Sequence, residues 1–459
     1  MTHMKPLMKP LSLIWPAAAA VLFAASSLVI IQDRLIADYI VAIAVMALAA
    51  FVANAAILHI APGMQVPLAV LASLATAVAL LLRLYFFDRS SHDYTAFLKP
   101  WVELIRENGG FLALKKDFGD YNVPYLYVLA LISYLPGSDL ILIKLVSVLF
   151  DMALAAGLCW AMQPLIKDGK GWTGDDKLAM LYFAVLFLPT VWLNSSHWGQ
   201  CDSLYTAFAV FSLGCLIRGR GRPAVVMAAL SFAVKLQAVF FLPLALPLLI
   251  QKKLRLRELI WFPITYIITV LPAIALGKSP LSTLTIYFNQ TQTYSDYLVL
   301  NAPSLFALPL FENLPRNLGF LLGIAAAAAF VAIFTYLTVK RGFGIYPVAA
   351  AFCLFVPFLL PSMHDRYFYL ADVLSVGLAL IYPRRAWWAP ICVQLGSYAA
   401  YHSLLFRNWL LPLLYWRESW HTMALPAVIM LIGGIGILRA LKTEKAGEPA
   451  PDTQGIVTE

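Results

Sequence analysis

The sequence predicts an all-α polytopic membrane protein, and three observations predict it. Of its 459 residues, 61% are hydrophobic and only 12% charged, whereas soluble domains carry about 25% charged residues. Apolar runs close to the roughly 20 residues of a membrane span recur along the whole chain. Positive clusters sit in short loops: RGRGR (218–222), KKLRLR (252–257), KR (340–341), RR (384–385) and RALKTEK (439–445). That is the pattern of cytoplasmic loops. It accounts for the net charge of +9 without invoking nucleic acid. The chain reads as one integral membrane domain, 1–445, followed by a flexible cytoplasmic tail, 446–459.

Taken in order, with the basic loops as anchors, helices are expected at 11–31, 38–60 and 66–87. The first follows Lys5 and Lys9 and lacks a small-residue cleavage site, so it reads as a retained helix rather than a signal peptide. The loop 88–137 then falls outside. Helices at 138–165, 178–194 and 201–217 follow. The stretch 223–250 has basic loops at both ends and must cross an even number of times. Two short half-spans meeting near Lys235 and Gln237 satisfy that. Further helices are expected at 259–276, 317–339, 345–361, 367–383, 387–406 and 421–441, giving about 12–14 spans. The second long outer loop, 277–316, is polar and aromatic with few charges.

Loop 88–137 carries two predicted interfacial helices. DYTAFLKPWVELIREN (93–108) places Tyr94, Phe97, Trp101, Leu104 and Ile105 on one face, as a helix lying on a membrane surface would. In GDYNVPYLYVLALISYLPG (119–137) the apolar core from Tyr125 to Leu135 is too short to span.

Acids are rare inside the helices, Asp151 and Asp372 being the main exceptions. Three separated segments, DRSSHDY (88–94), SSHWGQCDS (195–203) and SMHDRYFY (362–369), each bring His and Asp to the same predicted face. Polar side chains kept at a membrane are functional candidates. A zinc site is one reading of His92, His197 and His364 with their acids, but no HExxH, HxH or CxxC spacing occurs, and the five cysteines are scattered. The other reading is transfer chemistry on a lipid-borne anion. A carboxylate serves as base, and Arg366, His364 and Lys235 stabilise phosphate. A lipid-linked glycan transporter or flippase, and a glycan ligase or polymerase, are the alternatives. Transporters usually place polar groups at the midplane between repeats, and no internal repeat is evident.

These motifs, in this order, resemble the GT-C superfamily of membrane glycosyltransferases. Within it, the chain resembles bacterial relatives of GPI-anchor mannosyltransferases and dolichol-phosphate-glucose-dependent glucosyltransferases. The resemblance runs over roughly 80–385, through HDYTAFLKPW, DYNVPYLYVL, LNSSHWGQCDSLY, AALSFAVKLQAVFF and SMHDRYFYLADVL. It implies a GT-C-like bundle, a polyprenyl-phosphate sugar donor, a lipid or glycan acceptor, no required metal, and an active site facing outward from a bacterial inner membrane. It also implies Asp93 as catalytic base, donor-phosphate contacts from Arg366, His364 and Lys235, and sugar or acceptor contacts from His197, Trp198, Gln200, Asp202, Asp365, Tyr121 and Asn122. The two helices before the third are extra relative to the family's shared core, and the chain departs from the family's motif pattern in three places. Asp88 and Asp93 lie five apart, Asp365 stands where the family often has Glu, and Val123 stands where a first proline is usual.

Overall fold

A computed structural model describes residues 14–30, 36–169, 171–293, 296–406 and 423–441. Lys5, Lys9 and the tail 446–459 lie outside these described residues. The architecture is an all-α, multi-pass helical bundle, with one pair of two-residue strands among the described residues. Among the described residues, five helices are long and apolar enough to cross a membrane: Tyr39–Ile60, Val66–Tyr85, Asp139–Met162, Leu256–Ala275 and Arg316–Arg341. A sixth arises if Gly174–Phe187 and Pro189–Trp198, bent by 48° at Pro189, count as one span. Eight more apolar helices have 10–17 residues. Among the described residues, fewer helices than the expected 12–14 are therefore full-length. Two are interrupted by identifiable residues: Pro189 bends one, and Lys235, in an extended conformation (φ −154°, ψ 135°), splits 223–250 into Gly221–Val234 and a second half ending at Ile250. The two half-spans expected around Lys235 are present.

Helix Asp139–Met162 runs through the centre and packs against Asp202–Ile217, Ile36–Ile60 and Gly174–Phe187. Gly214 permits the first of these contacts, because a Cβ there would meet Trp160 at 2.4 Å and the Ala161 Cα at 3.0 Å. Behind the site a buried ion pair links four elements. Arg83 Nε donates to Asp151 Oδ2 at 2.8 Å, Arg83 Nη2 to the Leu186 carbonyl at 3.0 Å, and Ser195 Oγ to Asp151 at 2.6 Å.

At one end, Gly63 and Gln65 donate to Asp175 and Asp176, whose helix is opened by a Thr173 capping box. Following the helices from that end, the segments around Asp93, Gln200, Lys235 and Arg366 all fall at the opposite one. The basic loops 218–222, 252–257, 340–341 and 384–385 stay with the Asp175 end.

Loop 88–137 differs in detail from expectation. Tyr94–Leu98 is a π turn that continues into Lys99–Glu107, with Pro100 in the first turn. The buried face is Leu98, Val102 and Ile105, while Phe97 is 40% exposed. The wider π turn shifts the register by about one residue relative to a plain α-helix. The second expected helix is Val123–Ser133, with seven of its 11 residues buried. Loop 277–316 is more structured than its composition suggests. It contains helices Pro280–Leu284 and Ile286–Thr293 and a strand, Val299–Leu300, that pairs in parallel with Met363–His364. This pairing ties loop 277–316 to the segment carrying Asp365 and Arg366.

Candidate functional site

A cavity of about 290 Å³ opens at the end of the bundle opposite the basic loops. It is lined by Asp93, Tyr121, Trp198, Gln200, Lys235, His364, Asp365 and Arg366, so eight of the site residues expected from sequence share one space.

Its centre is the Asp93 carboxylate. Gln200 Nε2 donates to Oδ2 at 2.5 Å, Trp198 Nε1 at 3.0 Å and an Arg366 Nη at 3.2 Å. All three converge on one oxygen, and Oδ1 accepts no hydrogen bond from the described residues. Local backbone structure sets this geometry. The π turn Leu193–Trp198 ends at Gly199, whose φ of 78° suits glycine. The Gln200 N–H then closes onto the Asn194 carbonyl at 2.9 Å. Ser91 Oγ donates to the Trp198 carbonyl at 2.6 Å, and Lys144 Nζ to the Phe86 carbonyl at 2.8 Å. The first bond holds the turn before Asp93 against the turn that carries its partners, and the second ties it to helix Asp139–Met162. Tyr121 OH donates to Gln200 Oε1 at 2.8 Å, which orients the amide.

Arg366 makes one hydrogen bond, to Asp93, from a group with five donor hydrogens. It also lies 3.8 Å from Asp202 and 3.8 Å from Asp365, and 5.0 Å from the centre of the Trp198 ring. Lys235 is ion-paired with Asp202. Its ammonium is 5.5 Å from the Tyr121 ring centre. The buried lysine thus has an anionic partner, Asp202.

Burial pushes the Asp365 carboxyl up to about 7, with Arg366 pulling it down and Asp93 adding to the rise. Burial, with Arg366 adding to it, lowers the His364 imidazole to about 3. His364 is therefore a neutral ring near pH 7 and offers hydrogen bonding rather than positive charge to an anion. A carboxyl raised on folding stabilises the fold while it is protonated. Asp365 thus contributes stability that is complete below about pH 4 and lost as pH rises through about 7. Thermal unfolding followed from pH 4 to 8 should show this slope in the wild type and a flatter one in Asp365→Asn. Equal slopes would remove the assignment.

Three expected contacts are corrected. His197 faces away from the cavity, with its ring 5.2 Å from Phe86 and 5.3 Å from Phe406. Asn122 is fully buried, where it caps Val123–Ser133 and donates to the Ala233 carbonyl at 3.0 Å. Asp202 lies behind the cavity wall, held by Lys235 and by Asn194 Nδ2 at 2.7 Å. Each sits one or two residues from a true lining residue, and the π turn or helix start turns its side chain inward. Asn194, part of an Asn-Ser-Ser triplet, is likewise fully buried. The three histidines do not converge. Among the described residues no group of three or more His, Cys, Asp or Glu is placed to hold a metal.

Several lining residues were not singled out as site residues from sequence: Trp101, Asp120, Gln290 and Tyr367. Gln290 and Gln237 carry buried amide oxygens without hydrogen-bond partners in the described structure. The run FNQTQT (288–293) was the available signal. No protein-family model matches the chain, and no curated protein matches it significantly.

The arrangement presents an oriented carboxylate oxygen, unsatisfied amide oxygens, aromatic faces and a guanidinium with spare donors in one cleft. Such a cleft can accept a proton from a hydroxyl, bind other hydroxyls and hold an oxyanion.

Proposed function

We propose that the protein is a membrane glycosyltransferase of the GT-C type. It moves a sugar from a polyprenyl-phosphate donor to a hydroxyl of a lipid-linked or other acceptor, with inversion. The observation that carries this reading is the Asp93 carboxylate, clamped through Oδ2 by three donors with Oδ1 left for a ligand. The positive-inside rule puts the Asp93 end outside, and short loops suit a bacterial inner membrane.

In this reading the acceptor hydroxyl docks on Asp93 Oδ1. Its oxygen attacks the anomeric carbon as its proton passes to the carboxylate. The bond from that carbon to the phosphate oxygen breaks, and the polyprenyl phosphate leaves with the electron pair. Arg366 meets the phosphate with the donors it does not use on Asp93, and Lys235 adds charge from the cavity wall. Trp198, Trp101 and Tyr121 offer ring faces to the sugar, and Gln200, Gln237 and Gln290 offer hydrogen bonds to its hydroxyls. Asp202 supports the reaction indirectly by holding Lys235.

The experiment is the donor dependence of Arg366→Ala. The variant should raise the KM for a polyprenyl-phosphate sugar more than it changes the KM for the acceptor. An unaltered donor KM would remove Arg366 from phosphate binding.

A further inference from the structure

A second cavity, of about 250 Å³, lies toward the basic end, away from the Asp93 cleft. Its walls include Leu216, Val225, Phe241, Leu254, Leu259 and Phe262. The one hydroxyl among the lining side chains, on Ser212, already donates to the Ala224 carbonyl at 2.7 Å. A cavity with apolar walls and no free polar group does not hold ordered water and favours an apolar occupant.

The surroundings show which kind. Leu246, Ile250, Leu256 and Ile260 are exposed apolar side chains on the same segments, as a surface that meets lipid tails would be. The lining residue Leu254 sits inside KKLRLR, where Lys252, Arg255 and Arg257 are exposed. Arg222 lies 3.7 Å over the ring of Trp261, next to Phe262 in the wall. Between Arg218 and Trp261 the chain has one acid, Glu258, which accepts the Arg255 backbone N–H at 2.9 Å. An apolar slot with a strongly basic rim matches a molecule with an apolar chain and an anionic head. Basic pockets between membrane helices on the cytoplasmic side bind such headgroups.

We propose that this cavity is a binding site for an anionic phospholipid, with one acyl chain in the slot and the phosphate on the 252–257 loop. The two half-spans that frame the cavity also meet at Lys235. The bound lipid therefore lies against the elements that deliver Lys235 to the Asp93 cleft.

The test is native mass spectrometry of the full-length purified protein titrated with phosphatidylglycerol and, separately, with phosphatidylcholine of the same chains. The wild type should retain one phosphatidylglycerol more tightly than phosphatidylcholine. The variant Lys252→Gln/Arg255→Gln/Arg257→Gln, changed only at exposed positions, should lose affinity for phosphatidylglycerol by about 10- to 100-fold and keep that for phosphatidylcholine. Ala228→Phe, which fills the slot, should lose both; if that variant does not fold, the charge variant alone decides. Equal retention of the two lipids by the wild type, unchanged phosphatidylglycerol affinity in the charge variant, or unchanged retention in a folded Ala228→Phe would each overturn the site.

Discussion

Asp93→Asn should lower the rate of sugar transfer by about 10²–10⁴-fold, the range typical of a lost general base, while the protein still binds its donor. The amide is nearly isosteric, so Gln200, Trp198 and Arg366 can keep an oxygen in the Oδ2 position. The substituted atom at Oδ1 can no longer take the acceptor's proton. A kcat loss with little change in donor affinity is the expected signature of a group that acts only in the transition state. Near-normal turnover would reassign the base, with Asp365 and Asp120, which line the same cavity, as the next candidates.

The second large effect is on stability. Lys235 and Asp202 form an ion pair with side chains 4% and 1% exposed. Lys235→Met leaves a buried carboxylate with Asn194 and a more distant Arg366 as its remaining partners. Breaking such a pair from one side costs about 3–5 kcal/mol, enough to lower the melting midpoint in detergent by many degrees. Replacing both, as Lys235→Met/Asp202→Leu, should recover much of that stability, because no lone charge is left inside. Transfer should stay low, since Lys235 is missing from the cavity wall. A double variant as unstable as the single one would show that the pair is not acting as a buried charge couple.

Much of this arrangement was legible in the sequence because it depends on local pattern. The basic loops divided the chain into two ends, and that division grouped Asp93, Gln200, Lys235 and Arg366 before their contacts were visible. The break at Lys235 followed from two basic loops flanking one apolar stretch. What was not legible depends on side-chain direction or distant pairing. His197 and Trp198 are neighbours, yet a π turn sends one between two phenylalanines and the other to Asp93. Asp202 was read as a sugar ligand, but its partner Lys235 is 33 residues away and draws it inward. The parallel pairing of Val299–Leu300 with Met363–His364 joins two loops that carry no shared sequence signal. Arg83, alone in an apolar helix, gained its meaning only with Asp151 opposite.

The most direct measurement is the fate of a polyprenyl-phosphate monosaccharide, with its sugar isotopically labelled, incubated with the purified protein and a membrane-lipid extract as the source of acceptor hydroxyls. The expected products are free polyprenyl phosphate and the label joined to an acceptor hydroxyl in inverted anomeric configuration. Donor recovered intact across a panel of such sugars, or moved unchanged from one side of a vesicle to the other, would contradict sugar transfer.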